Sequence, residues 1–212
     1  MRKIVASFFI SLDGVVERPD QWHFPYFNDE MGEIVGAGMA ENETMLLGRT
    51  TYEEFAAYWP QQPSDQPPAD YMNGVRKVVV STTLERAEWN NSTIIRGNLA
   101  EELGRLKNEP GKDIGTVGSA TLVRSLLRHG LLDELRLLVH PIVVGHGKKL
   151  FEDAGSAGDA GDAGDTGDTG DTGDTGSSDS ATGGTGTVPL KLVSSRTLST
   201  GVVYAVYAPA QA

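Results

Sequence analysis

Apolar runs alternate with amphipathic stretches along the chain. Residues 4–12 are almost continuously apolar, with Ile4, Val5, Ala6, Phe8, Phe9, Ile10 and Leu12. Such a run suits a strand covered on both faces, hence the centre of a sheet. Asp13-Gly14 supplies turn chemistry at its end. Met31, Ile34, Val35 and Met39 fall at helical spacing and predict a helix over 28–39, against the cost of three glycines. A short buried strand follows at 44–47, before Gly48. The next helix is expected to begin at Thr50 or Thr51. Each has a Glu three residues later, Glu53 or Glu54, which is the capping-box spacing. Four prolines over 60–68 predict a surface loop. A buried strand is expected at 77–81. Asn98 caps a helix carrying Leu99, Leu103 and Leu106, and a strand follows at 114–117. The next helix carries Leu122, Val123, Leu126 and Leu127 and stops at Gly130. A strand over 135–144, bent at Pro141, precedes an antiparallel pair at 190–193 and 202–207. Strands alternating with helices predict an α/β fold with a mixed sheet.

Charge changes this picture in one place. The chain has 212 residues and a net charge of -11. A triplet repeat, Gly-Asp-Ala and then Gly-Asp-Thr, runs from Gly158 to Gly176. The window 154–187 holds seven Asp, no Lys or Arg, and no large apolar residue. It cannot offset its own ordering entropy, so it is expected to be a disordered Gly/Asp/Thr-rich insertion in a single domain spanning 1–212. It lacks the prolines of a collagen-like triplet and the apolar position of a calcium-binding β-helix repeat. The rest of the chain is only mildly acidic, at -4. The net charge of -11 disfavours nucleic acid and anionic membranes as partners. With no Cys, disulfide scaffolds, thiolate metal sites and Cys nucleophiles are excluded. No apolar run approaches the roughly 18 residues of a spanning helix. Ile4 to Ile10 after Met1-Arg2-Lys3 faintly imitates a secretion signal, but no small-x-small cleavage site follows. A cytoplasmic location is expected.

Three places combine the end of a buried strand with small or hydroxyl residues. They are Gly48-Arg49-Thr50, Ser81-Thr82-Thr83 and Gly118-Ser119-Ala120-Thr121. Ligands of open α/β sheets bind beyond the carboxyl ends of strands. Helix N-termini present free N–H groups and a partial positive charge, which favour phosphate. Arg49 adds a bidentate phosphate donor. Together these suit a large anionic ligand such as a dinucleotide. The plainer reading makes Gly48 and Gly118 tight turns and Arg49 a solvated charge. No G-x-G-x-x-G opens a helix, no P-loop is present, and no nucleophile elbow surrounds Ser119. The four histidines lack zinc-ligand spacing, so no metal site is expected, and His140 and His146 are read as structural or surface groups.

The chain resembles the dihydrofolate-reductase-like superfamily, in the branch of the reductase domain of bacterial riboflavin biosynthesis. The residues that carry the likeness are Ser11-Leu12-Asp13-Gly14, Leu47-Gly48-Arg49-Thr50-Thr51-Tyr52-Glu53 and Val80-Ser81-Thr82-Thr83-Leu84. Val117-Gly118-Ser119-Ala120-Thr121-Leu122, Asp133-Glu134-Leu135, 140–147 and 199–203 complete the set. The resemblance implies a three-layer fold around a mixed, mostly parallel sheet with a C-terminal antiparallel hairpin. It implies an NADPH-dependent reductase of a heterocyclic or imine-like small molecule. A phosphoribosylamino-pyrimidine, a true dihydrofolate reductase activity and a non-catalytic nucleotide-binding module are the readings it leaves open. A homodimer is compatible with it. Carried over, Gly48, Arg49 and Thr50 hold cofactor phosphates, and Ser81 and Thr82 lie near the adenosine 2′-phosphate. Gly118, Ser119, Ala120 and Thr121 receive the pyrophosphate, while Phe9 and Val16 border the nicotinamide. Asp13, Trp22 and the helix near Asp29 face the substrate. Dihydrofolate reductases place an acid on the first helix after a Trp-x-aliphatic-Pro stretch. Trp22-His23-Phe24-Pro25 is similar, but Phe27 stands two residues past the proline. Asp29 and Glu30 lie offset, and either serve as that acid or are ordinary first-turn acids favoured by the helix dipole.

Overall fold

The computed structural model describes residues 1–63, 65, 67–151 and 187–210. The insertion expected over 154–187 lies, apart from Thr187, outside the described residues. Eight strands form one sheet: β1 (Ile4–Ser11), β2 (Asn42–Gly48), β3 (Arg76–Val80), β4 (Ser92–Ile95), β5 (Asp113–Val117), β6 (Glu134–His140), β7 (Leu190–Thr197) and β8 (Val203–Pro209). Their spatial order is β4-β3-β2-β5-β1-β6-β8-β7. The first six run parallel, and β8 and β7 close the sheet antiparallel. The helices are α1 (Asp29–Glu41), α2 (Arg49–Tyr58), α3 (Pro67–Gly74), α4 (Leu99–Asn108) and α5 (Ala120–Arg128). The α/β mixed sheet expected from the alternation is present.

The continuous apolar runs are explained by cover on both faces. In β2, Leu46 joins a core with the leucines of α4 and α5, while Met45 and Leu47 join a second core with Tyr52 of α2 and Met72 of α3. In β1, Phe8 and Ile10 face the α4–α5 side. Phe9 packs on the other side, near Met31 of α1. Three layers result, with α1, α2 and α3 on one face and α4 and α5 on the other.

The structure departs from the expected elements in several places. The capping box at Thr50 or Thr51 does not form. Helix α2 starts at Arg49 behind Gly48, and no side chain caps it. The Thr51 hydroxyl is held instead by Ser119. The proline-rich stretch contains a 3₁₀ turn at Trp59–Gln61 and the start of α3, because Pro is tolerated at a helix N-terminus. Strand β4 was not expected. β6 ends at His140 rather than bending through Pro141, and β7 and β8 run longer than the predicted pair. The three glycines of α1 are accommodated, with Asn28 accepting the Met31 N–H as N-cap. Asn98 caps α4 as expected, accepting from the N–H groups of Ala100 and Glu101.

Candidate coenzyme and substrate site

All six parallel strands end on one edge of the sheet. The three predicted turns leave β3, β2 and β5, which are neighbours, and Gly48 stands opposite Val80 in register. Two of the turns are bonded to each other. The Gly48 N–H donates to Ser119 Oγ at 2.9 Å. Ser119 donates to Thr51 Oγ1 from its N–H at 3.0 Å and from its hydroxyl at 2.9 Å. Gly118 and Ser119 both adopt left-handed backbone, with φ of 65° and 46°. A Cβ at Gly118 would lie 2.9 Å from Thr51 Cγ2, so this approach requires glycine.

With its hydroxyl held by Gly48 and Thr51, Ser119 does not cap α5. The N-termini of α2 and α5 therefore meet at one place without a side-chain cap. Each helix N-terminus carries a partial positive charge, so their convergence favours an anion. Gly48, Arg49, Thr50, Gly118, Ala120 and Thr121 are half-buried. A shallow, largely open depression of about 360 Å³ lies elsewhere, bounded by Pro60, Asn73, Glu88, Trp89 and Asn90. Arg49 Nη1 pairs with Glu53 at 3.1 Å. An exposed pair at this spacing is worth only about 0.3–0.5 kcal/mol, so a phosphate can compete for the guanidinium. Ser81 is buried and its hydroxyl accepts from the N–H groups of Thr83 and Leu84, while Thr82 is exposed.

The other predicted residues lie toward β1 and β6. Asp13 accepts from Ser11 Oγ at 2.6 Å and from the N–H groups of Val144 and Gly145 at 3.0 and 2.8 Å. The Ser11 hydroxyl and these two amides hold its carboxyl well below the usual range. Asp13 thus latches the turn after β1 to the 144–145 loop. Val16 donates its N–H to Lys148 O and packs against the main core. Trp22 is buried, with Nε1 donating to Glu17 O. Asp29 is exposed in the first turn of α1 and has no side-chain hydrogen bond among the described residues. Its neighbour Glu30 accepts from the Ser199 hydroxyl, the Ser199 N–H and Asn28 Nδ2.

These bonds, Ser199 foremost, push the Glu30 carboxyl down to about 2 from an ordinary 4.5. Because the folded state binds this proton less tightly, Glu30 contributes stability above pH 4.5 that is lost as pH falls toward 2. Glu30→Gln is therefore expected to flatten the fall of the urea midpoint between pH 5 and about 3. An unchanged acid slope would show that the contact to Ser199 carries no stability.

Sequence reasoning did not single out a ring cluster beside these residues. His23 is stacked on Phe9, with centroids 4.6 Å apart and planes 10° from parallel. His140, the last residue of β6, is fully buried and meets Phe9, Trp22 and Tyr26 edge-on at 5.2–5.7 Å. Burial lowers the pKa of both imidazoles, and proximity to His140 lowers that of His23 further. The available signals were an aromatic run around His23 and a histidine closing an apolar strand.

Comparison with known proteins gives a consistent result. The profile of the RibD C-terminal domain matches residues 2–204. The uncharacterized protein YyaP of Bacillus subtilis is 28% identical over 210 residues, covering 97% of this chain and 94% of its own. The structure of a putative riboflavin biosynthesis protein from Shewanella sp. PV-4 superposes with a TM-score of 0.66 at 17% identity, covering 99% of both chains. A dihydrofolate reductase from Enterococcus faecalis, complexed with NADP(H) and RAB-propyl, gives 0.55 at 13% identity, over 99% of this chain and 97% of that one. The fold is thus dihydrofolate-reductase-like, and no helix among the described residues is long and apolar enough to cross a membrane. The chain belongs to the RibD C-terminal domain family, a family of reductases.

Proposed function

We propose that the protein is an NADPH-dependent reductase that transfers hydride to a heterocyclic or imine-type small molecule. The observation that carries this reading is the bonded contact between the Gly48 and Gly118-Ser119 turns, which brings two uncapped helix N-termini together. The donor set fits a diphosphate: backbone amides, hydroxyls and a guanidinium, on two turns whose close packing requires glycine at 118. When bound, the coenzyme supplies the hydride.

In this reading Gly48, Arg49 and Thr50 hold one phosphate group, and the first-turn amides at Ala120 and Thr121 hold the pyrophosphate. Thr82, one strand away and exposed, faces the 2′-phosphate, with Ser81 shaping its turn. Phe9 and Val16 border the nicotinamide, with Val16 fixed by its bond to Lys148 O. Trp22 and Asp29 border the substrate, and Asp13 orients the loop beside them. The chain's contribution is to hold the reacting carbons at about 3–3.5 Å. The family and the Shewanella neighbour favour a phosphoribosylamino-pyrimidine as substrate.

NADPH oxidation measured side by side with a pyrimidine ribose-phosphate and with dihydrofolate tests the reading. Turnover of the pyrimidine is expected. Oxidation of dihydrofolate alone would mark a dihydrofolate reductase, and saturable NADPH binding with neither substrate consumed would mark a binding module. Arg49→Ala is expected to weaken NADPH about tenfold, roughly the loss of one charge-assisted phosphate contact. Unchanged affinity would remove Arg49 from the site.

A further inference from the structure

The ring cluster at the ends of β1 and β6 contains two polar atoms with no partner among the described residues. His23 Nδ1 and His140 Nε2 are both buried without a hydrogen bond. Their side chains belong to residues 7% and 0% exposed, and the ring centroids are 6.2 Å apart. Orphaned buried polar atoms are costly, and two in one apolar cluster call for an explanation.

The hydrogen bonding fixes one half of the pair. His140 Nδ1 lies 2.8 Å from Leu138 O, and a carbonyl only accepts, so Nδ1 carries the proton. His140 Nε2 is then a lone-pair acceptor. His23 makes no hydrogen bond through either nitrogen among the described residues, and its Nδ1 is buried. With its proton on Nε2, His23 also presents a lone pair inward. One added proton converts two buried acceptors into a donor and an acceptor.

We propose that His23 and His140 form a one-proton site at the substrate end of this edge, from which His23 protonates the substrate nitrogen. The assignment rests on the reductase reading above. His23 is suitably held for it, stacked on Phe9 on one side and tilted against Phe24, 4.2 Å away, on another. Phe24 is exposed, so His23 lies near the surface. In the step, the substrate carbon gains hydride and the C=N π bond opens onto nitrogen. Nitrogen takes the proton from His23 Nε2, leaving that ring neutral, and solvent returns one proton. His140 is a positioning residue: its acceptor stabilises the protonated partner.

The groups around the pair define its titration. His23 meets the rings of Phe9, Phe24, Phe27 and His140, and Asp20 is the carboxylate that favours its charged form. His140 meets Phe9, Trp22, Tyr26 and His23, and the carbonyls of Leu138 and Ile10 favour its protonation. Burial outweighs these for both rings, so the charged form appears below neutrality.

Two measurements test the proposal. The first is a ¹⁵N-detected NMR titration of the histidine rings of the intact protein between about pH 8 and 4. The two rings are expected to share one proton, each responding to the other's titration. The second compares wild type, His23→Gln and His140→Gln in NADPH affinity, by tryptophan quenching, and in turnover of the pyrimidine ribose-phosphate against pH. Wild-type turnover is expected to rise toward acid. His23→Gln should keep NADPH affinity, lose about 100-fold in kcat and lose the acid rise. His140→Gln should move the acid limb to lower pH. Independent titration of the two rings, or a His23→Gln enzyme with an unchanged pH profile, overturns the proposal while intact NADPH binding leaves the reductase reading standing. Wild type that binds no NADPH, or binds it and consumes no substrate, overturns both.

Discussion

Replacing Lys77 by alanine is expected to lower folding stability by about 3–5 kcal/mol. Lys77 is fully buried near the start of β3, with no carboxylate partner among the described residues. Its ammonium donates to Asn73 O, Val75 O and Asn90 O at 2.9–3.2 Å and lies 4.1 Å from the Trp89 ring centroid. It therefore joins the end of α3, the start of β3 and the segment before β4 through three carbonyls. Alanine removes all three donors and opens a cavity beneath Trp89. Lys77→Met restores most of the volume but not the donors, so it should remain clearly destabilised. Burial pushes the ammonium down to about 8 from 10.5. The folded state then releases this proton before the unfolded chain does. The contribution of Lys77 to stability accordingly rises with pH between about 8 and 10.5, and both variants should lack that rise. Urea unfolding at pH 7 and 10 measures each effect. A loss below about 1 kcal/mol would mean that water replaces the ammonium at these carbonyls.

Gly118→Val is expected to abolish NADPH binding at any accessible concentration and to lower stability by about 2 kcal/mol or more. The backbone there has φ of 65°, which a β-branched residue resists. The new Cβ would meet Thr51 Cγ2 at 2.9 Å and Oγ1 at 3.3 Å. Relief requires the turn to move away from α2. That movement breaks the bonds from Ser119 to Thr51 and from Gly48 to Ser119, and the two helix N-termini separate. Stability and binding should fall together in this variant. Thr51→Val separates them, because it keeps the shape and removes the hydroxyl that Ser119 reaches. It should bind NADPH more weakly, with a smaller loss of stability than Gly118→Val, because no backbone clash is introduced. Wild-type affinity in Gly118→Val would show that the contact between the turns is irrelevant to the ligand.

Much of this architecture is legible in local signals. The runs at 4–12 and 44–47 announced strands covered on both faces because both faces are indeed packed by helices. Asn98 and Gly130 marked helix ends through chemistry confined to a few residues. Elements without such a signal escaped. Strand β4 is four residues long and only half-buried. Helix α3 begins in a proline cluster that also suits a loop. The capping box failed because Thr51 found a partner 68 residues away, and no local rule weighs that competition. The same holds for the site. Residues 48–50 and 118–121 were recognisable separately as phosphate-suited turns, but their contact depends on β5 inserting beside β2. Ser81 and Asp13 looked like available polar groups, yet their own turns and loops engage them. The spacing of His140 marks it only as a structural or surface group, and its burial beside His23 depends on the pairing of β1 with β6.

The most direct test of the central claim is a titration of the protein with NADPH, followed by quenching of tryptophan fluorescence and repeated with Gly118→Val. Two convergent helix N-termini that grip a diphosphate predict saturable quenching in the wild type and none in the variant. A flat wild-type titration with NADPH and NADH alike, or equal saturation in both proteins, would contradict the account.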